Sequence, residues 1–484
     1  MSLQPLYPMK PGRGPGWERA MEDRIAAAIA ANRYGLGARP GELDRIGTDP
    51  RGWLREQIEG PPPLLRGADL PSSAQILSAA FGPADDAPPA ERFAAALQEY
   101  RRVYSAEVAA RFASAVATDR PFVERLTHFW TNHFAVSVDK LAVVGVAGAL
   151  EREAIRPHVL GRFVDMLLAV ERHPAMLLYL DNYLSVGPGS PVATYLAARR
   201  KARPPGLNEN LAREILELHT LGVDGPYGQD DVIRLAEVLT GWSIGGTGRM
   251  PRVVLERLGA DLGEPGAFRF RPALHEPGAK EVLGKRYPDS GEAQGEAVLR
   301  DLAAHPSTAR FVATKLARHF IADEPADAAV ARIERAFVES DGDLPSVYAA
   351  LIDAAEAWRE PLAKFKTPND YVISTYRGLE IPTTGRPREI AAFETLGQKT
   401  YAPGSPAGWP DLSSSWDGAS ALLARIEWAA ALGARIGSRR RAATLAPQLL
   451  GGTLSATTLR AIELAATAEQ ALTLLLAAPE FMRR

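Results

Sequence analysis

"GLNENLAREILELHTLGV", residues 206–223, decides how the chain is read. On a helical wheel stepped by about 100° per residue, Leu207, Leu211, Ile215 and Leu218 form one apolar arc. Arg213, Glu217, Asn210, Glu214, Glu209 and Thr220 fall on the other side. Asn208 suits an N-cap and Gly222 a C-terminal stop. Arg213 and Glu217 are an i, i+4 pair, worth roughly 0.2–0.5 kcal/mol on a wet face. Asn210, Glu214 and Glu217 also share one strip, the arrangement two carboxylates and an amide need to hold one ligand. A solvated face and a site are both open on this geometry. His219, beside Ile215 and Ala212, reads as a hydrogen-bonded part of the packing.

The same period dominates the rest of the sequence. "PAERFAAALQEYRRVYSAEVAARFASAVATD" (89–119) is a long Ala-rich helix. "DRPFVERLTHFWTNHF" (119–134) has Asp119 as N-cap and Pro121 in its first turn. Further helices are expected over 147–155, 160–171, 174–181, 228–241, 291–304, 306–320, 326–339, 344–357, 368–378, 419–435 and 455–476. Only "FRFRPALHEPGAKEVLGKRYP" (268–288) reads as strand, with "FRFRP" and "KEVLGKRY" paired around the loop "ALHEPGA". The expected class is mainly α: a large multi-helix domain with a small β-hairpin insertion near 268–288. Residues 1–21 read as an N-terminal extension and 22–484 as a single helical domain, in one body or two lobes.

Composition narrows the function. The 484 residues are 46% hydrophobic and 24% charged, with net charge −2. That balance speaks against a nucleic-acid surface, which shows as patterned positive charge. The one basic cluster, "RIGSRRRAAT" (435–444), reads as a solvated helix end. With no Cys, disulfides, zinc ribbons and Cys nucleophiles are excluded. The first residues lack the apolar core of a signal peptide, and no run approaches the roughly 18 apolar residues of a membrane span. A cytoplasmic protein without a membrane span is expected.

Two other clusters carry polar chemistry. In "LTHFWTNHF" (126–134), His133 shares a stripe with Leu126, Phe129 and Trp130, while His128 lies about 140° away on the wheel. The pair therefore cannot bind one metal from a regular helix, unlike an i, i+4 pair. His133 is a buried imidazole: a satisfied core residue, or a ligand or base fixed through Asn132 or a distant carboxylate. In "LHEPGAK" (274–280), His275, Glu276 and Lys280 sit on a constrained loop, a common platform for function. "KLARHF" (315–320) sets Lys315 and His319 at i, i+4, "KFKTP" puts Lys366 before a helix, and "SPAGWPD" (405–411) puts Trp409 in a tight loop over a cleft or the core. Walker A, Gly-x-Ser-x-Gly, His-Glu-x-x-His, EF-hand and dinucleotide-binding patterns are missing.

Taken in order, "HFWTNHFAVS", "HPAMLLYLDN", "GLNENLAREILELHTLGV", "VLTGW", "HEPGAKEVLG", "KLARHFIAD", "FKTP", "SPAGWPD" and "PEFMRR" resemble the bacterial Domain of Unknown Function 1800 (DUF1800) family. The resemblance runs from about residue 22 to the end and implies one long, mainly helical domain without an assigned reaction. It also implies a contextual partner: many relatives are accompanied by a sulfatase- or phosphatase-like protein of the DUF1501 family. Where many relatives carry "FWHNHF", this chain has Thr131.

Two functions are compatible with these readings. In the first, the chain is a metal-dependent or acid–base hydrolase acting on an anionic substrate. Glu214, Glu217, Arg213 and His275 are then its catalytic candidates, and His133, Asn210 and His275 its ligands for a divalent metal such as Zn, Mn or Fe. Arg213 or Lys280 would hold the anion. In the second, it is a non-catalytic helical scaffold for a partner such as a DUF1501 protein, its polar residues forming buried hydrogen-bond networks. Convergence of His133, Glu214 or Glu217, and His275 on one point separates the two.

Overall fold

Proline opens one helix after another. It stands at the start of Pro50–Gln57, Pro121–His133, Pro174–Tyr179, Pro306–Phe320, Pro368–Gly378, Pro387–Thr395 and Pro479–Met482. The first helical N–H has no intrahelical acceptor, so a residue without one loses nothing there, and its fixed φ suits the turn. The residue before it is held extended and free to cap. Asp49 accepts from Gly52 N, and Thr367 from Asp370 N. Histidine does the same work twice: Nδ1 of His173 accepts from Ala175 N and Nδ1 of His305 from Ser307 N, both at 3.1 Å. The helices Pro121–His133, Pro387–Thr395 and Pro479–Met482 begin without such a cap. In the first of these Arg120 is the flanking residue, and the expected cap Asp119 pairs with Arg39 at 2.8 Å instead.

The computed structural model describes residues 15–65, 70–81, 89–198, 206–246 and 263–484. They are mainly helical, with two small antiparallel sheets. Residues 1–14 of the expected extension lie outside this set, and the first described helix, Pro15–Ile29, runs across the expected boundary at 21/22. Most expected helices lie within a few residues of their observed bounds. The expectation for 455–476 is corrected: it is two helices, Ala456–Glu463 and Ala468–Ala477, the second capped by Thr467.

The hairpin is also re-paired. Strand β2 (Phe268–Phe270) pairs with β1 (Trp242–Ile244), while β3 (Lys280–Val282) pairs with β4 (Lys285–Tyr287) in a hairpin of its own. "FRFRP" and "KEVLGKRY" therefore do not pair with each other. Leu283 and Gly284 both have positive φ in the connection between β3 and β4, the backbone of a two-residue turn. That turn closes "KEVLGKRY" on itself, and β2 takes "GWSI" as its neighbour.

Among the described residues three helices contain a π-helical turn: Ala30–Tyr34, Glu151–Ile155 and Ile215–His219. Each carries a fully buried polar side chain, Arg33, Glu151 and His219 respectively. A π turn widens the helix by one residue and re-aims the side chains beyond it, and such turns gather at functional or strained places.

The side chains form two large apolar clusters. One is built mostly from residues 27–357 and includes Trp130, whose Nε1 donates to Tyr348 Oη at 2.6 Å. The other is built mostly from residues 365–482, with Leu36, Phe112 and Ala115. Among the described residues no helix is long and apolar enough to cross a membrane.

Candidate functional site

Along Pro121–His133, Glu124, His128 and Thr131 lie at i, i+4 and i+7, one face of the helix. Glu124 and His128 are buried on it, Glu124 fully, and Thr131 is half-buried. Arg156 meets Glu124 with both terminal nitrogens, at 2.8 and 2.6 Å, and reaches Glu151 at 2.8 and 3.0 Å. Glu151 Oε2 also accepts from Arg111 Nε (2.7 Å), Thr131 Oγ1 (3.0 Å) and Tyr401 Oη (3.0 Å). Two carboxylates and two guanidiniums thus neutralise one another, the condition on which buried charge is tolerated. Burial alone would raise the Glu151 carboxyl; Arg111 and Arg156 outweigh it and hold it at about 2. Glu124 is held well below the carboxylate range by Arg156 and His128 against the same burial.

This network floors a cleft at the junction of the two clusters, with a volume of about 90 Å³. Its lining includes Arg111, Arg125 and Lys399 against Asp370 and Asp411, together with His128 and His319. At roughly 10–15 Å³ per water centre the space suits a few waters or a small polar group. Asn369 Nδ2 donates to His128 Nδ1 at 3.3 Å, and His128 Nε2 is 3.6 Å from Glu124 Oε1. Burial, then Arg111, lowers the His128 pKa. On the facing side His319 Nδ1 is 3.3 Å from Asp411 Oδ1, and its Nε2 is buried without a partner among the described residues. Burial pulls His319 down to about 4 although Asp411 opposes it, so the ring is neutral near pH 7. Arg125 gives Nε to Gly35 O (2.6 Å) and Nη1 to Asp370 (3.1 Å). Among the described residues, Nη2 of Arg111 and of Arg125 has no partner.

The loop over the cleft is clamped to the end of Pro121–His133. Asn132 Nδ2 donates to Trp409 O at 2.9 Å, and Trp409 N donates to Asn132 Oδ1 at 2.7 Å. Gly408 has φ +81°, and a Cβ there would stand 2.3 Å from Asn132 O. Gly408→Ala is therefore expected to cost about 1–3 kcal/mol, from left-handed backbone and clash together. Hydrogen exchange checks this: amides of 402–411 should exchange faster in the variant, and unchanged protection would refute the clamp. Tyr401, also lining the cleft, carries φ 55°, a strained conformation of the kind that gathers at sites.

The residues singled out from the sequence occupy other places. His133 donates Nε2 to His219 O at 3.1 Å, with Nδ1 buried and unpartnered among aromatic rings. Burial, then Lys315, lowers its pKa well below the ordinary value. His219 belongs to the packing, its Nδ1 2.8 Å from Glu171 Oε1. Asn210 is exposed in the first turn, its N–H capped by Asn208 Oδ1 at 2.9 Å. Arg213 is engaged on the surface with Glu209 (3.2 Å), Glu217 (3.3 Å) and Gln229 (2.9 Å). Glu214 is half-buried, and burial raises its carboxyl pKa. His275 Nδ1 faces Thr240 O at 2.9 Å, and the Lys280 ammonium is taken up by three carbonyls at 2.7–3.0 Å. The structure joins Arg213 with Glu217 and His133 with His219; it does not join these with His275. The π turn starting at Ile215 carries Glu217 off the α-helical wheel on which the strip was drawn. Among the described residues no three His, Asp or Glu side chains are grouped to hold a metal ion.

Sequence reasoning missed Arg111, Glu124, Glu151, Arg156, Asn369 and Asp370. The spacing Glu124–His128–Thr131 was a legible signal for one face of the network. Four of the quoted motifs do line the cleft: "HFWTNHFAVS" through His128, Thr131 and Asn132, "KLARHF" through His319, "FKTP" through Thr367, and "SPAGWPD" through Trp409 and Asp411.

Fold and cleft together define a mainly helical protein with a charged, water-sized site over a buried ion network. The chain belongs to the family described as protein of unknown function (DUF1800), whose model matches residues 29–483. No curated protein and no solved structure matches it.

Proposed function

We propose that the chain is a hydrolase of the acid–base type acting on a small anionic substrate in the cleft between His128 and His319. The observation that carries this reading is the pair His319–Asp411. A neutral imidazole is oriented through Nδ1 by a carboxylate, leaving Nε2 as the basic atom. In the proposed step, Nε2 takes a proton from water as the oxygen attacks the substrate's electrophilic centre. The leaving group departs with the bond pair and receives that proton back. The free Nη2 donors of Arg111 and Arg125 hold the substrate's charge. Arg213 and Glu217 pair with each other and His275 faces Thr240; neither they nor Glu214 is assigned this chemistry.

A panel of small carboxylic, phosphate and sulfate esters tests the proposal. His319→Ala should lower turnover by roughly 10²-fold or more. Turnover should also fall with pH as His319 protonates near its value of about 4. An active protein whose His319→Ala variant keeps its rate would overturn the assignment. Stoichiometric Zn, Mn or Fe in the purified chain would favour the metal-dependent form.

A further inference from the structure

A second cavity, of about 190 Å³, opens where Pro387–Thr395 and Ala419–Ile436 pass the end of Pro368–Gly378. Arg388 and Thr395 line it from the first helix, Trp428 and Arg435 from the second, each pair at i, i+7, and Tyr376 from the third. Among the described residues its polar lining consists of two guanidiniums, a phenol, a hydroxyl and an indole, with no carboxylate. Among the described residues neither Arg388 nor Arg435 has an ion-pair partner, and the Tyr376 hydroxyl, open to the cavity, has no protein hydrogen bond. The neighbouring carboxylate, Glu389, is occupied by Thr384 N at 2.9 Å and Thr384 Oγ1 at 2.6 Å. Arg386, Arg439 and Arg441 stand exposed nearby along the same segments. An arrangement of donors and cations without an acceptor is complementary to an oxyanion, and a planar guanidinium fork suits phosphate. The Trp428 indole adds a flat apolar wall.

We propose that this cavity binds a phosphate monoester carried on a flat ring, an aryl or nucleoside monophosphate. Arg388 and Arg435 pair with the phosphate, the Tyr376 hydroxyl donates to it, and the ring lies against Trp428. The site is separate from the cleft of His128 and His319 and shares no lining residue with it. It gives the basic stretch that begins at Arg435 a ligand, where the sequence suggested only a solvated helix end.

Calorimetric titration of the full chain with phenyl phosphate, inorganic phosphate and benzoate tests this. Phenyl phosphate is expected to bind at one site roughly tenfold more tightly than either of the others, since each lacks one half of the recognition. The double variant Arg388→Ala/Arg435→Ala should lose at least roughly tenfold in that affinity. Its melting temperature should stay unchanged, because both side chains are exposed and unpaired. Tyr376→Phe, which keeps the packing, should weaken binding as well. Absence of phenyl phosphate binding, or equal affinity in the double variant, would overturn the proposal; equal binding of inorganic phosphate would remove the ring from it.

Discussion

Arg156→Met is expected to lower the stability of the chain by about 3–5 kcal/mol. The side chain is fully inaccessible and makes four hydrogen bonds, two to Glu124 and two to Glu151. Methionine stands in for its aliphatic stem and removes its charge and its donors. Glu151 then keeps Arg111, while Glu124 is left without a guanidinium. Glu124 must either stay charged with its cation gone or take up a proton, and both routes favour the unfolded chain. Replacing Glu124 and Arg156 together should cost less than the single change, because no orphaned charge remains on that side. Denaturant unfolding followed by tryptophan fluorescence measures both. A single variant that unfolds with the wild type would show that the network adds nothing to stability.

The second large effect lies at Lys366, which is 1% exposed. Its ammonium sits 3.1 Å from Ser374 Oγ and 4.2 Å from the centre of the Phe481 ring. Burial pulls its pKa from 10.5 to about 7, although Asp370 opposes the shift. Between those two values the unfolded chain binds more protons than the folded one, so stability rises with pH across that window. The rise is on the order of a few kcal/mol. Lys366→Met should abolish this slope and be at least as stable as the wild type at pH 7. The difference between the two profiles is the measurement, since it cancels the other titrating groups. Equal slopes from pH 7 to 10 would mean that the lysine is not buried as described.

Periodicity carried the helical class because most helices are amphipathic and many begin on X-Pro, a signal written in adjacent residues. Pro306–Phe320 and Pro368–Gly378 match their expected bounds for that reason. Strand pairing was not legible in the same way. "FRFRP" carries nothing that names "GWSI", 24 residues upstream, as its neighbour. The cleft was legible only in pieces. On the helical wheel His128 only diverges from His133, whereas its partners are Glu124, four residues before it, and Asn369, 241 residues away in the chain. A buried Glu or Arg reads as surface on any hydropathy pattern, so Glu151 and Arg156 were silent until folding brought them together.

The three π turns have a consequence for how the chain tolerates length changes. A π turn is an α-helix holding one surplus residue, and taking that residue out restores a regular helix. Deleting Leu216 would leave a helix of good composition, yet it would swing His219 about 100° away from Glu171, now 2.8 Å distant. A deletion within Glu151–Ile155 would likewise separate Arg156 from the helical frame that holds Glu124. Single-residue deletions at these three places should therefore be less tolerated than alanine substitutions beside them, because reading frame along the helix, rather than side-chain identity, delivers each buried group.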